Sequence, residues 1–308
     1  MEISDLDTTK LASIPNIKGL LIKAAFKQFS KTPHISSEVI LPNTRFDVED
    51  IKLETSRCQG FHQVVGWGGE SNIVHPCYLH SLVFPLHLKL LLSKNFPFPL
   101  LGLVHISNQI RQLRPIKKDE TLSVSSCVGE LELHSKGWLF SIEVAFYSGS
   151  ELVWQSVSTN LFRTKHGQEV KSRNKSLADE FVDPTIVNWD LKSNLGRRYA
   201  KVSGDYNLIH LNKWLAKLFG FKQHIIHGMC TKSYCISALQ QLNPILFSQA
   251  FEINTNFRQP VYLPNQVSFA VQTAQVEQTD NRVAFKVLNV PVMNKQPILH
   301  LEGYVQTI

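Results

Sequence analysis

A carboxylate and an imidazole lie close together in the segment YAKVSGDYNLIHLNKWLAKLFG, which spans residues 199–220. Asp205 and His210 are the two groups, and Gly204 and Asn207 beside them are residue types that suit a tight loop. In one compact loop the two side chains could hold a water molecule between them. Because histidine titrates near neutrality and burial can raise the pKa of a carboxyl group, this pair could accept one proton and donate another.

A backbone amide that could stabilise negative charge follows along the chain. Gly228 stands at the start of the apolar segment MCTKSYCISALQQL, whose length predicts a helix. The first N–H groups of a helix have no internal partner and lie at the positive end of its dipole, so they can stabilise a developing oxyanion. The sequence therefore places a base, an acid and an oxyanion site within a short stretch of chain.

The spacing of apolar residues indicates which elements position these groups. After His210, apolar residues recur at the spacing of one helix face, and Gly220 can end that helix. The recurring positions are Leu211, Trp214, Leu215, Leu218 and Phe219. This pattern predicts that Asp205 and His210 lie in the loop just before an amphipathic helix.

The chain has two halves in which the same elements are predicted in the same order. In each half a histidine, His75 or His227, opens an apolar segment of helix length, and strand-like segments follow. The predicted strands are 103–113, 121–131, 138–147 and 152–162, and then 251–257, 266–276, 282–290 and 298–306. A long helix followed by antiparallel strands, occurring twice, predicts an α+β fold.

The motif around the candidate site resembles that of a known family. It consists of Tyr199, Ser203-Gly204-Asp205, Asn207, His210 and then His227-Gly228-Met229. It is similar to the MaoC-like dehydratases, which include the (R)-specific enoyl-thioester hydratases and have the hotdog fold. The strand entry FRQPVYLPNQVSF at 257–269 is also similar to that family. The resemblance is clear over 185–308 and weaker over 40–165, and Leu208 stands where the family usually has proline.

The resemblance implies roles for individual residues. Asp205 and His210 would form the catalytic dyad, Asn207 would orient it, and the N–H of Gly228 would bind the thioester carbonyl. The other motif residues would bind substrate, and they are His227, Met229, Ser203 and Tyr199. The implied reaction is reversible hydration of a trans-2-enoyl thioester to an (R)-3-hydroxyacyl thioester, linked to CoA or to an acyl carrier protein. It calls for no metal or redox cofactor.

The resemblance also implies a double hotdog, in which each half is an antiparallel sheet wrapped around a long central helix. We expect an N-terminal helical arm at 1–40, a degenerate hotdog domain at 41–164, a linker at 165–180 and a catalytic hotdog domain at 181–308. Because two fused hotdogs supply the pairing that single-domain members obtain by dimerising, a monomer is expected as readily as a homodimer.

The first half lacks the residues that the proton chemistry needs. Aligning Gly60 with Gly204 places Phe61 at the position of Asp205 and Gly66 at that of His210. Pro76, which follows His75, has no backbone N–H to donate. We therefore expect the first half to be catalytically silent. Phe96 and Phe98 in this half could line an acyl tunnel or simply pack in a core.

Composition excludes several broad classes of protein. The 308 residues are 43% hydrophobic and 19% charged, which is ordinary for a globular protein and excludes collagen, coiled-coil and largely disordered chains. No uninterrupted apolar run reaches the length of a membrane-spanning helix, and the N-terminus lacks the pattern of a secretory signal, so a cytoplasmic location is expected. The five cysteines show no zinc-site spacing, and we expect reduced thiols.

The net charge of +7 fits CoA phosphates, an acidic carrier protein, nucleic acid or a membrane surface equally well. No nucleic-acid motif accompanies it, so no nucleic-acid partner is expected. Arg258 and Lys232 are candidates for contacting a pantetheine phosphate.

The alternatives to a hydratase are a hotdog acyl-thioesterase and a non-catalytic acyl-binding module. A thioesterase of this fold usually places a carboxylate on the hotdog helix, and the segment 229–241 has none.

Overall fold

The computed structural model describes residues 6–28, 39–100, 102–164, 181, 184–272, 282–290 and 296–308. The linker predicted at 165–180 lies outside the described residues. The helices are α1 (Ile17–Gln28), α2 (Thr55–Val65), α3 (Tyr78–Leu82), α4 (Phe84–Leu91), α5 (Leu195–Ser203), α6 (Leu208–Leu211), α7 (Lys213–Leu218) and α8 (Gly228–Leu242). The strands are β1 (Asp7–Leu11), β2 (Thr44–Lys52), β3 (Leu103–Gln112), β4 (Thr121–His134), β5 (Gly137–Ser148), β6 (Glu151–Arg163), β7 (Thr185–Leu191), β8 (Phe251–Phe257), β9 (Asn265–Gln272), β10 (Arg282–Asn289) and β11 (Leu299–Thr307).

The chain divides into two compact units that interleave along the sequence. The first comprises Met1–Leu53, Leu82–Asn108 and Asp119–Asn174, and the second comprises Glu54–Ser81, Gln109–Lys118 and Lys175–Ile308. The second unit therefore takes α2, most of α3 and the end of β3 from the part of the sequence that is expected to form the first hotdog domain. Both units combine helices with mainly antiparallel strands, which confirms the α+β class.

The N-terminal arm of the first unit is only partly helical. Helix α1 buries Leu20 and Ala24 against Leu88 of α4, as its apolar periodicity requires. The prediction of a helical arm is wrong for Asp7–Leu11, which forms β1 and pairs in parallel with β2. Its backbone gains ladder hydrogen bonds there, and threonines at its centre are compatible with a strand.

The long central helix predicted for the first half is interrupted. The structure has the short helix α3, then Val83, then α4, because Pro85 lies in the first turn of α4 and cannot donate a hydrogen bond back into α3. Phe96 and Phe98 are buried in this unit and pack on Phe140, with the rings of Phe98 and Phe140 stacked 5.7 Å apart. Core packing accounts for both side chains.

The sheet strands of the second unit lie in the order β8-β11-β10-β9-β7, and every pair is antiparallel. Helix α8 packs on this sheet: Tyr234 meets Trp189 of β7 with ring centroids 5.5 Å apart, and Gly228 lies against Phe257 of β8. The side chains of α8 are buried around nearly its whole circumference, and most of them are small or apolar, such as Cys230 and Cys235. This helix consequently places its own N-terminus in the interior of the unit.

Strand positions follow the predicted ones closely where the chain is described. The observed bounds differ from the predicted ones by at most three residues for β3 to β6, β8, β10 and β11. The strand predicted at 266–276 corresponds to β9, and its residues 273–276 lie outside the described residues. Strands β2 and β7 were not predicted. In the described part of the chain, no helix is both long and apolar enough to cross a membrane.

An ion pair inside the second unit joins the end of β8 to β11. The guanidinium of Arg258 donates from Nε to Oε1 of Glu302 over 2.7 Å, and Nη2 reaches the same oxygen. The Glu302 carboxylate is fully buried, while Arg258 is 28% exposed. Arg258 therefore has a structural partner, which does not support its expected role as a phosphate contact. Lys232 is also fully buried, on α8, away from the surface where a phosphate would approach.

We predict that Arg258→Ala lowers the free energy of unfolding by about 3 kcal/mol, because the Glu302 carboxylate would lose the cation that compensates its burial. The matched control is Lys192→Ala, which breaks a pair with the half-exposed Asp190 and should cost less than about 1 kcal/mol. Urea unfolding of both variants measures the difference. Equal losses in the two variants would contradict this role of the buried pair.

Candidate active site

Helix α5 delivers Asp205 into the site. The helix ends at Gly204, which has a left-handed φ of 84° and donates its N–H to the carbonyl of Ala200 over 2.9 Å. A residue with a side chain would be strained in this conformation, so glycine permits the sharp exit from the helix. The next amide, that of Asp205, donates to Oγ of Ser203 over 3.2 Å. The carboxylate is thereby fixed immediately beyond the helix end.

His210 lies inside the short helix α6, so the prediction that it sits in a loop is wrong. The side chain of Asn207 caps α6 by accepting a hydrogen bond from the amide of Ile209, and this starts the helix before His210. The amide of Asn207 in turn donates to Oδ1 of Asp205 over 3.1 Å. Asn207 therefore connects the backbone positions of the two candidate catalytic residues, and its role in orienting them stays a prediction.

The predicted amphipathic helix after His210 is also different in the structure. It is divided into α6 and α7 at Asn212, whose side chain caps α7 by accepting from the amide of Trp214. Trp214 and Leu218, expected on its apolar face, are 63% and 79% exposed. The interruption at Asn212 rotates α7 relative to the predicted continuous helix, and Ala216 becomes its buried residue.

The hydrogen bond of His210 fixes which of its ring nitrogens can accept a proton. Nδ1 donates to the carbonyl of Ile225 over 2.8 Å, so the neutral ring carries its hydrogen there and Nε2 has a free lone pair. His210 is buried, and the backbone amide of Ile225 donates to the carbonyl of Ile209 over 3.0 Å. Ile225, which precedes α8, therefore holds His210 in two ways: its carbonyl accepts from the imidazole ring, and its amide binds the neighbouring residue Ile209.

His227 links the Asp205 loop to the start of α8. Its Nε2 donates to the backbone carbonyl of Asp205 over 2.9 Å, and lies 4.0 Å from Oδ2 of the same residue. The ring stacks on that of His210, with centroids 3.8 Å apart and planes inclined by 27°. Because His227 is also the residue that precedes Gly228, it brings the carboxylate, the imidazole and the helix amide to one place.

Burial sets the protonation of these groups. It lowers the pKa of His210 to about 3, an effect that the neighbouring His227 increases and Asp205 opposes. Burial likewise lowers the pKa of His227 to about 4. Burial raises the pKa of Asp205, while His210 and the amide of Asn207 act in the opposite direction. Both rings are therefore neutral near pH 7, and the carboxyl group accepts a proton more readily than an exposed aspartate does.

The same three side chains also have the residue types of a metal site. One ligand atom from each of Asp205, His210 and His227 falls within a group no wider than 4.8 Å. In the structure Nε2 of His227 donates to the carbonyl of Asp205, so a metal ion bound through that nitrogen would break this hydrogen bond.

The remaining predicted site residues lie around this centre. Tyr199 is buried, its ring is 4.9 Å from that of His227, and its hydroxyl is 3.2 Å from Oγ of Ser81. Ser203 is buried with its Oγ on the Asp205 amide, and Met229 is buried on α8. Tyr199 therefore packs against His227, and Ser203 holds the backbone of Asp205. Whether Tyr199, Ser203 or Met229 touches a substrate stays a prediction.

Gly228 begins α8, as predicted, so its N–H has no acceptor within the helix. A Cβ at this position would lie 3.0 Å from the ring of Phe257. The helix start and the aromatic ring are therefore in close contact, and glycine is the residue that this contact allows.

Two structural features of the site were not predicted from the sequence. A Cβ on Gly196 of α5 would lie 2.1 Å from the carbonyl oxygen of His210, so the two backbones approach each other directly. The carbonyl of Ile225 acts as the partner of the His210 ring. The sequence signal for the close approach to His210 is a glycine, Gly196, in the first turn of an otherwise ordinary helix. The carbonyl of Ile225 belongs to the backbone, so no residue type in the sequence indicates its role.

The register assigned to the first half also requires correction. Helix α2 ends at Gly66, which has a left-handed φ of 71° like that of Gly204, whereas Gly60 lies within the helix. The matching glycine is therefore Gly66, which places Trp67 rather than Phe61 at the position of Asp205. A carboxylate is absent from the position in either register. The catalytic silence of the first half stays a prediction.

Comparisons with known proteins identify a domain that includes the candidate site. Residues 162–294 match the MaoC like domain. The chain contains a MaoC-like domain. The chain is 28% identical to the 3-hydroxyacyl-thioester dehydratase X of Mycobacterium tuberculosis over 250 residues. The matched region covers 80% of this chain and 85% of that protein. It is 46% identical over 150 residues to the peroxisomal enoyl-CoA hydratase 2 of Arabidopsis thaliana, covering 44% of this chain and 48% of that protein.

Solved structures confirm the fold. The crystal structure of the M. tuberculosis protein HtdX is similar with a TM-score of 0.69 at 26% identity, over 86% of this chain and all of that one. A second M. tuberculosis protein, described as a double hotdog fold, gives a TM-score of 0.51 at 11% identity, over 99% of this chain and 97% of that one. The predicted MaoC-like resemblance and double hotdog class are both confirmed.

For the MaoC-like domain, we predict that Gly196→Ala displaces His210 and lowers the free energy of unfolding by about 2 kcal/mol, because the added Cβ would overlap the His210 carbonyl oxygen. Gly19→Ala is the control, since a Cβ at this helical position meets nothing within 4 Å and should leave stability unchanged or slightly higher. Thermal unfolding compares them. A Gly196→Ala variant as stable as Gly19→Ala would contradict the close approach.

We also predict that stability falls as the pH is lowered from about 6.5 to 4. In this range the unfolded chain protonates His210 and His227, whose pKa values in the folded state are about 3 and 4, so acid favours unfolding. Each ring contributes up to about 1.4 kcal/mol per pH unit. Urea unfolding at several pH values should show a shallower slope in the double variant His210→Gln/His227→Gln. An unchanged slope would contradict the assigned protonation.

Proposed function

We propose that the MaoC-like domain catalyses the reversible hydration of trans-2-enoyl thioesters to (R)-3-hydroxyacyl thioesters, as a hydro-lyase. The observation that carries the proposal is the convergence at His227. This residue holds the Asp205 backbone, stacks on His210 and precedes the free amide of Gly228. The named relatives are a 3-hydroxyacyl-thioester dehydratase and an enoyl-CoA hydratase, which supports hydration or dehydration of acyl thioesters.

The geometry suggests how water is activated. Oδ1 of Asp205 accepts the Asn207 amide, and Oδ2 points toward the imidazole rings, where it can hold a water molecule together with Nε2 of His210. In hydration the water oxygen bonds to C3 and one water proton passes to the dyad. C2 takes one proton from the dyad, so the dyad ends in its starting state. Dehydration follows the same path in reverse.

The thioester carbonyl gains negative charge while C2 is still unprotonated. The N–H of Gly228 is the donor we assign to this enolate oxygen, because the first amide of α8 has no helical acceptor and lies at the positive end of the dipole of a 15-residue helix. Asn207 orients the dyad. Tyr199, Ser203, His227 and Met229 are the residues that we propose to bind the substrate.

The pKa directions agree with this division of labour. His210 stays neutral at physiological pH and acts as an acceptor through Nε2, because burial and the stacked His227 disfavour its charged form. Asp205, with a raised pKa, is the group that can carry the proton to C2. The carboxyl group and the imidazole therefore share one proton during the reaction.

Several finer points belong to the same proposal. The substrate is linked to CoA or to an acyl carrier protein, and the first half of the chain is catalytically silent. The protein acts in the cytoplasm as a monomer or homodimer, although the A. thaliana relative is named as peroxisomal. A thioesterase reaction is less well supported, because α8 carries no Asp or Glu that could act as its carboxylate. A non-catalytic acyl-binding module would not need a connected dyad.

We predict that Asp205→Asn and His210→Ala each lower the turnover of crotonyl-CoA by about a hundredfold or more, because each removes a proton-transfer group. Loss of the enoyl absorbance measures hydration. Asp190→Asn and His134→Ala are matched controls outside the site and should keep normal turnover. Full activity in both site variants would exclude the dyad, and release of free thiol without a hydroxyacyl product would favour the thioesterase.

A further inference from the structure

An exposed apolar surface lies on the helices that carry the candidate site. We call it the α6–α7 surface, and it consists of Tyr206, Leu208, Trp214 and Leu218 with Lys213, Lys217 and Lys222. Leu218 is 79% exposed and Trp214 is 63% exposed, while Tyr206 and Leu208 are each 40% exposed. Four large apolar side chains at such exposure within 13 residues of α6, α7 and the turn before them indicate a binding surface rather than ordinary scatter.

The fold holds these side chains outward. Ala216 is the buried residue of α7, and Leu215 and Phe219 beside it are half-buried, so the opposite face of the helix must point to solvent. Asn212 caps α7 and fixes this rotation through the amide of Trp214 over 2.7 Å. The outward position of Trp214 and Leu218 is therefore a property of the folded helix pair.

The charge of the surface has one sign. The ammonium groups of Lys213 and Lys217 lie 5.0 and 4.9 Å from the centre of the Trp214 ring, and Lys222 is exposed nearby in the sequence. No aspartate or glutamate occurs in residues 206–251. A second copy of this surface would bring lysines against lysines, so symmetric self-association is disfavoured.

We propose that the α6–α7 surface binds the face of an anionic lipid bilayer, with Trp214 and Leu218 in the interfacial layer and the lysines on lipid phosphates. Tryptophan is enriched at the membrane–water interface, and a short helix with protruding tryptophan and leucine beside lysines is typical of interfacial attachment. Exposed apolar side chains beside lysines fit a deformable lipid surface, which needs no matching recess. This attachment is peripheral and does not require a spanning helix.

The location of this surface relates it to the proposed function. His210 lies within α6, and Tyr206 and Leu208 flank Asn207, so the surface begins next to the candidate catalytic residues. If the hydratase proposal holds, attachment would place the site beside a phase into which long acyl chains partition. Lipid binding itself rests on the surface alone, and its test does not require turnover.

The test is sedimentation of the full chain with vesicles of phosphatidylcholine, with and without phosphatidylglycerol. We expect binding to the vesicles that contain phosphatidylglycerol, and weaker binding at high salt. Lys213→Glu/Lys217→Glu should lower the partition coefficient by roughly 25-fold or more, since each lysine at an anionic surface contributes about fivefold. Trp214→Ser/Leu218→Ser should also release the protein.

Matched controls change the same chemistry elsewhere. Lys94→Glu/Lys136→Glu reverses two exposed lysines outside the surface, and Ile245→Ser removes an apolar side chain that is 72% exposed. Both should bind vesicles like the unaltered chain. Turnover of crotonyl-CoA, which is soluble, should be unchanged in the Trp214→Ser/Leu218→Ser variant, so loss of lipid binding is distinguishable from loss of the active site.

Two results would overturn the proposal. One is that the unaltered chain does not bind the anionic vesicles, or that the surface variants bind as well as the controls. The other is that a phosphopantetheine-loaded acyl carrier protein binds the chain and loses affinity for the surface variants, while vesicles do not bind. That second result would assign the α6–α7 surface to a protein partner.

Discussion

The candidate site depends on the hydrogen bond from His227 to the backbone of Asp205 and on the stacking of His227 against His210. Other hydrogen bonds link these parts only in pairs: Asn207 joins the Asp205 loop to α6, and Ile225 joins α6 to the segment before α8. With one side chain, His227 fixes the Asp205 carbonyl at 2.9 Å and the His210 ring at 3.8 Å. Its main chain leads directly into Gly228, so the proton-transfer pair and the helix amide share one anchor.

Burial gives this arrangement its chemical character. Two imidazoles in contact would repel each other if both were protonated, and burial already disfavours each charged form. The same environment raises the pKa of Asp205, so burial favours the neutral form of all three side chains. Of the three, the carboxyl group is the one whose affinity for a proton is increased by burial. Burial of the two imidazoles also lowers the stability of the folded protein in acid, because the unfolded chain binds protons at these rings more readily.

Local sequence patterns predicted much of the fold. Alternating polarity located most strands because a half-buried strand must alternate, and the apolar segment after His227 located α8 because it is buried on most sides. Periodicity failed for the helix after His210, where Asn212 makes a new cap and turns Trp214 outward. A residue such as Asn212 can either continue a helix or begin a new one, and tertiary contacts decide which of the two occurs.

The site was predictable to a similar degree. Asp205, Asn207 and Gly228 are candidates from the sequence because their residue types suit the proposed chemistry or a tight backbone path. The contacts of His227 with Asp205 and His210 and the approach of Gly196 to His210 were not predicted, since they depend on segments that are brought together by folding. A backbone carbonyl as a ring partner has no residue type, and sequence patterns cannot reveal it.

The most direct measurement follows the atoms of the reaction. The protein is incubated with a trans-2-enoyl thioester in water labelled with ¹⁸O or with deuterium, and the product is analysed by mass spectrometry and chiral chromatography. The account predicts an (R)-3-hydroxyacyl thioester with one labelled oxygen at C3 and one deuterium at C2. A free acid with label in its carboxylate, an (S) product, or no product across a range of chain lengths would contradict it.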